Sequence, residues 1–176
     1  EGNLLAAHQE IQKLHLLYPS GPLSFDQVEG AVLNVARYDV FKLTEAVLAG
    51  QVARVQRMLE GLQAEGESEV LVHYTLSEDI RTLKRIKDAM AAGRPLPMAL
   101  REQRVWGVKE KLMERVLPRL SDTTLNNLLQ AAHVVDGIVK GLKQPDWPHD
   151  PWQALQRLAM GLCEPCIASA KSASAR

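Results

Sequence analysis

An all-α fold is expected from three features of this 176-residue chain. Apolar residues recur at three- and four-residue spacings from end to end, no window alternates apolar and polar residues over strand length, and no Asn-Gly hairpin turn occurs. Hydrophobic residues make up 46% of the chain, an ordinary share for a globular protein. A chain of this length can bury about 70% of its unfolded surface, enough for one or two cores. No window approaches the roughly 20 apolar residues of a membrane span, and no basic-then-apolar leader pattern opens the sequence. The two cysteines, Cys163 and Cys166, cannot staple a fold, so a reducing cytosol is the expected compartment. The lack of an initiator Met before Glu1-Gly2-Asn3 suggests a fragment.

The elements follow in order. Leu4, Ala7, Ile11, Leu14 and Tyr18 share one helix face, and Pro19-Ser20-Gly21-Pro22 ends that helix because neither proline can donate the next backbone bond. Ser24-Phe25-Asp26-Gln27 is a capping-box pattern opening a short helix with Val28, Val32 and Leu33. The next helix, from about Tyr38 to Ala49, carries Val40, Leu43, Val47 and Leu48, with Gly50 suited to its end. Val52, Val55, Met58, Leu59 and Leu62 mark a fourth helix that stops by Gly66.

The longest helix is expected from Ser68 to Ala92, with Leu71, Tyr74, Leu76, Ile80, Leu83, Ile86 and Met90 as its apolar line. Gly93-Arg94-Pro95 closes it, and a short helix over 97–103 meets an aperiodic turn at Arg104-Val105-Trp106-Gly107. Val108, Leu112, Met113, Val116 and Leu117 define another helix. Ser121-Asp122 caps the one bearing Leu125, Leu128, Leu129, Ala132, Val135 and Ile138. After a loop over 143–149, Asp150-Pro151 starts a last helix with Trp152, Leu155, Leu158, Ala159 and Leu162 on its core face. Residues 167–176, rich in Ser and Ala, read as a disordered tail.

Net charge is zero, but it is unevenly placed. Residues 1–80 hold five basic and twelve acidic groups, whereas 81–119 hold eleven basic and four acidic. Such an excess attracts phosphate or an acidic partner, or merely forms a solvated helical surface balancing its acidic neighbour.

Catalytic signatures are scarce. There is no Gly-rich Lys-Ser/Thr phosphate loop, no His-Glu-x-x-His and no G-x-S-x-G, so no catalytic residues, metal site or cofactor are expected. Cys163-Glu164-Pro165-Cys166 lacks the second pair that a structural zinc needs, and reads as two incidental thiols at a fraying helix end. His8 and His15 lack converging ligands, and Asp136 with Lys140 reads as a surface ion pair. An enzyme using His73 or His133 is a distant reading.

Trp152 is expected in the core. Trp106, flanked by Arg101, Arg104, Lys109 and Lys111, and Trp147, in a Pro-bracketed loop after Lys140 and Lys143, stand apart. An aromatic ring at a loop tip can stack on an unpaired base while nearby cations hold phosphates; the plainer alternative is that each ring closes an end of the bundle. The candidate nucleic-acid-binding residues are Trp106, Trp147, Arg101, Arg104, Lys109 and Lys143.

Several blocks resemble a known family. Gly2-Asn3-Leu4-Leu5-Ala6-Ala7, with Gln9-Glu10-Ile11 and Lys13-Leu14 after it, is similar to a helix late in the second domain of bacterial DNA polymerase III delta subunits. Ala36-Arg37-Tyr38-Asp39-Val40-Phe41-Lys42-Leu43 resembles the start of that family's third domain. Arg81-Thr82-Leu83, the Arg104-Val105-Trp106 turn, Asp136-Gly137-Ile138-Val139-Lys140-Gly141 and the helix from Trp152 to Leu162 fit as well.

The resemblance implies a helical-bundle collar domain over 36–166, preceded at 1–35 by the last helices of an AAA+-type lid domain. It implies a clamp-loader subunit in the bacterial cytoplasm that joins the gamma/tau and delta-prime subunits through the collar and acts on primed DNA. The sliding clamp would be met only through an N-terminal domain absent from this chain. No ATP hydrolysis or other intrinsic catalysis is implied for the fragment, although the whole assembly serves a DNA polymerase. A free-standing helical scaffold gripping an acidic protein through 81–119 is the alternative.

Overall fold

The computed structural model describes residues 4–18, 21, 22, 24 and 40–167, and among them every regular element is helical. Helix α1 is Leu4–Leu17, α2 covers 40–48, α3 is Val52–Ala64 and α4 is Glu69–Ala91. They are followed by α5 (Leu96–Glu102), α6 (Gly107–Val116), a 3-10 turn (Leu117–Arg119), α7 (Asp122–Val139) and α8 (Pro151–Cys166). The helix expected from Ser24 and the tail after Ile167 lie outside the described residues, apart from Ser24 itself.

Helix α4 is the axis of the bundle. It packs against α5, α7 and α8, while α8 also packs against α3 and α7. Val72, Leu76, Ile80, Leu83 and Ile86 of α4 are essentially sealed from solvent, as are Leu125 and Val135 of α7 and Leu155 and Leu162 of α8. Truncating one such side chain to Ala costs about 2–5 kcal/mol, so this contact line dominates the stability of the bundle.

The expected caps are present. The Ser68 hydroxyl accepts from the Leu71 N–H, Ser121 from Thr124 and Asp150 from Gln153, each satisfying an amide that its helix cannot. Trp152 is buried and donates its indole N–H to Glu69 Oε1 at 3.0 Å, tying the start of α8 to that of α4.

Some faces differ from the sequence expectation. Tyr74 and Val108, placed on apolar lines, are 60% exposed, and Ile11 of α1 is 63% exposed. On α4 the expected Leu76, Ile80, Leu83 and Ile86 are buried, but Val72 joins them in place of Tyr74, which lies on the far side of the helix. The cysteines need a second correction, because α8 continues through Pro165 and both thiols are fully buried rather than fraying. Cys166 donates its S–H to the Leu162 carbonyl, and burial pushes the thiol up to about 12, which removes it as a nucleophile at neutral pH.

Gly50 fixes the approach of α2 to the end of α8. Its φ is +70°, and an added Cβ would sit 2.8 Å from the Cys166 carbonyl oxygen and from backbone atoms of Ile167. Arg115 and Arg119 bind the same junction, donating to the carbonyls of Leu48 and Ile167. Gly50→Ala is therefore expected to cost at least about 3 kcal/mol, combining left-handed strain with a backbone clash. Gly93→Ala, at φ +88° with open space around it, should cost only about 1 kcal/mol. Paired urea melts check this, and equal losses would contradict the close packing of α2 on α8.

Candidate nucleic-acid interface

The basic segment looks different once folded. Arg81 and Arg85 pair with Glu78, Lys84 with Asp88 and Asp122, and Arg94 with Glu102. Lys87 donates to the Leu117 carbonyl, Arg115 and Arg119 cap the α2–α8 junction, and Lys109 pairs with Asp79. Arg101, Arg104 and Lys111 remain exposed with no polar side-chain partner among the described residues. All three lie within residues 101–111, the stretch that runs through the corner from the end of α5 into α6.

The corner has an unusual backbone. At the ends of α2, α3, α4 and α7 the chain turns through Gly50, Gly66, Gly93 and Gly141 at positive φ, each with the paired backbone bonds that close a helix. At the end of α5 the same bonds form, Arg104 N–H to the Arg101 carbonyl and Val105 N–H to the Leu100 carbonyl. Here the left-handed position is held by Arg104, at φ 54°. A Cβ at this position costs about 1 kcal/mol, and the chain accepts that cost where a glycine would relieve it.

Trp106 follows immediately and is 62% exposed. Its ring lines a cleft of about 490 Å³ shared with Phe41, Val108, Arg104 and Lys109, and with the acidic residues Glu45, Glu78 and Asp79. Val105 is buried beneath it. Burial opposes ionisation of Glu78, but hydrogen bonds from Arg85 and Arg81 outweigh it and hold the carboxyl below its ordinary range. Asp79 goes the other way: burial pushes its carboxyl up, and the Lys109 ammonium at 2.6 Å offsets that only in part. Its Oδ2 has no hydrogen-bond partner, since the neighbouring Thr44 hydroxyl donates to the Phe41 carbonyl.

The structure does not gather all six sequence candidates at one place. Trp106, Arg101 and Arg104 share the corner, and Lys109 stands beside them with its ammonium engaged by Asp79. Trp147 lines a different cleft of about 460 Å³ between α7 and α8, with Thr124, Leu128, Ala131 and Met160. One ring face is covered by the Arg157 guanidinium, 4.2 Å from the centroid. Lys143 is exposed in the loop before it. Lys111 was not among the six, although its position four residues into α6 kept it close to the corner.

The histidines do not form a reactive centre. His73 Nε2 lies 2.8 Å from the Ala132 carbonyl and 2.9 Å from the Ser77 hydroxyl, with Nδ1 3.8 Å from Asp136. A carbonyl only accepts, so Nε2 carries the proton and is no base towards Ser77. Both His73 and Ser77 are buried, and the set reads as a polar clamp between α4 and α7. His133 is exposed, and Asp136 makes the expected ion pair with Lys140 at 2.6 Å. Among the described residues, no group of three or more His, Cys, Asp or Glu side chains is placed to hold a metal, and no helix is long and apolar enough to cross a membrane.

Removing Lys109 exposes the cost of burying Asp79. Lys109→Met should destabilise the protein by about 3 kcal/mol at pH 7, because an ionised carboxylate is left unpaired in the interior. A folded-state pKa above the unfolded value means that protons favour the folded form, so the loss should shrink as the pH is lowered towards 5. Urea melts at the two pH values measure it, and an equal loss at both would show that Asp79 is not the charge responsible.

The chain matches, over residues 40–169, the family described as the processivity clamp loader gamma complex DNA polymerase III C-terminal region. It is 34% identical to the DNA polymerase III subunit delta of Escherichia coli over 168 residues, 96% of this chain and 48% of that protein. It is 27% identical to the DNA polymerase III subunit delta of Haemophilus influenzae over 171 residues, 93% of this chain and 48% of the relative. The chain thus spans about half the length of these curated relatives. With a family match across most of its length and a helical fold throughout the described residues, the chain belongs to the DNA polymerase III delta C-terminal family.

Proposed function

We propose that this chain acts as the C-terminal part of a delta subunit in a clamp loader. Its helical domain, over 36–166, joins gamma/tau and delta-prime subunits in a collar, and residues 1–35 close a preceding lid domain. The complex loads a sliding clamp onto primed DNA in the bacterial cytoplasm, with clamp contact made by a region outside this chain. The match that begins at residue 40 supports the division between lid and collar. The chain contributes packing and contacts to this work rather than bond chemistry.

Within that reading, the α5–α6 corner contacts single-stranded or junction DNA. The observation that carries it is the coincidence of a left-handed Arg104, the exposed Trp106 ring and the unpartnered cations of Arg101 and Lys111. The ring offers a stacking surface for an unpaired base, and the cations hold the flanking phosphates. Trp147, with one face on Arg157, lines a separate cleft, and Lys143 is exposed in the loop before it, so these two are candidates for a second contact with the strand. The alternative of a scaffold gripping an acidic protein through 81–119 is less favoured, because most of those cations already pair with carboxylates or carbonyls of this chain.

Arg104→Gly separates function from folding. It should raise the melting temperature by about 2 °C by relieving backbone strain, while primed-DNA binding by the assembled loader weakens. Trp106→Ala should weaken binding by about 1–3 kcal/mol without changing co-migration with the other loader subunits in size-exclusion chromatography. Unchanged affinity in both variants would remove the DNA contact, and failure to co-migrate as a defined complex would remove the collar assignment.

A further inference from the structure

The α5–α6 corner is closed by backbone bonds on the α5 side, but the start of α6 has no comparable fixation of its own. Helix α6 has Trp106 at its N-cap position with no side-chain cap, and Arg104 and Gly107 on either side both stand at positive φ. A segment of this kind is free to move unless something outside it holds it. Two anchors reach out of the corner. Val105 is buried at 4% exposure, and Lys109, in the first turn of α6, extends its ammonium to Asp79 of α4, 30 residues earlier. Asp79 is at 5% exposure on α4, the helix that packs against α5, α7 and α8. One of its oxygens is spent on Lys109 and the other has no partner.

From this geometry we infer that Asp79 and Lys109 are positioning residues: their buried ion pair ties the start of α6 to the rigid α4 and so fixes the direction of Trp106. The inference rests on the DNA contact proposed for Trp106. It reassigns Lys109, whose charge is directed inward and not at a phosphate. The pair is costly as a stability device, because the Asp79 carboxylate is desolvated and one of its oxygens is unsatisfied, while Lys109 gives up part of its hydration to reach it. Its retention is explained by what it places: an aromatic ring must be held in one orientation before an unpaired base can stack on it without a further ordering cost.

The test uses the full-length subunit in the assembled clamp loader and a fluorescently labelled primed DNA. Asp79→Asn keeps the shape and removes the buried charge, leaving Lys109 free to turn to solvent. It is expected to weaken binding about fivefold, the size of coupling usual between contacting residues. Lys109→Gln should give a similar loss, and the double variant should be no weaker than either single one. The decisive readout is epistasis, because in a Trp106→Ala background Asp79→Asn should have no further effect. A role in general stability alone would add its loss in that background as well.

If Lys109 held phosphate directly, Asp79→Asn would release it and binding would tighten, which overturns the inference. Full additivity with Trp106→Ala, or an unchanged affinity for Asp79→Asn where Trp106→Ala is weakened, would also overturn it while leaving the DNA contact intact. A Trp106→Ala loader that binds as the parent does would remove both.

Discussion

The burial of α4 is the constraint on which the rest of the structure depends. A helix covered on several sides must satisfy every polar group that it takes inside, and α4 does so locally where it can. Thr75 returns its hydroxyl to the Leu71 carbonyl, and the His73 Nε2 lies between the Ser77 hydroxyl and the Ala132 carbonyl of α7. Asp79 reaches outward for a charged partner and finds Lys109 of α6. The same helix thus supplies the core and anchors the corner that is most exposed to ligands.

Charge follows a similar logic. A run of basic residues in a sequence is a statement about composition, not about a surface. Folding converts most of this run into short ion pairs and carbonyl caps that close helix ends and junctions, such as Arg115 on Leu48 and Arg119 on Ile167. Exposed pairs of this kind add little stability one by one. Their effect here is to leave Arg101, Arg104 and Lys111, all within five residues of Trp106 in sequence, as exposed cations without a polar side-chain partner among the described residues. The strained backbone at Arg104 marks that stretch as a place where local stability is given up.

Much of this was legible from the residues. The caps at Ser68, Ser121 and Asp150, the breaks at glycine and the core faces of α7 and α8 follow from spacing and local chemistry. On α4 periodicity found Leu76, Ile80, Leu83 and Ile86 but chose Tyr74 over Val72 in the first turns, where several apolar residues fit more than one stripe. It failed at Val108 because the first turn of a short helix is placed by its flanking turn rather than by its own pattern. The site was half legible: the Trp106 turn and its arginines could be seen, but the partnership of Lys109 with Asp79 spans 30 residues and has no local signal. The Arg157 guanidinium over Trp147 was hidden in the same way, since it comes from the next helix.

The central claim is that the cations left unpaired by the fold, and not the basic segment as a whole, meet the nucleic acid. The dependence of primed-DNA affinity on salt tests it most directly, with the parent loader compared to one carrying Arg101→Gln, Arg104→Gln and Lys111→Gln. Each phosphate contact to a single strand contributes about 0.7 to the slope of log affinity against log salt. The account predicts that the triple variant loses about two units of slope. An unchanged slope would contradict it and move the DNA contact elsewhere on the loader.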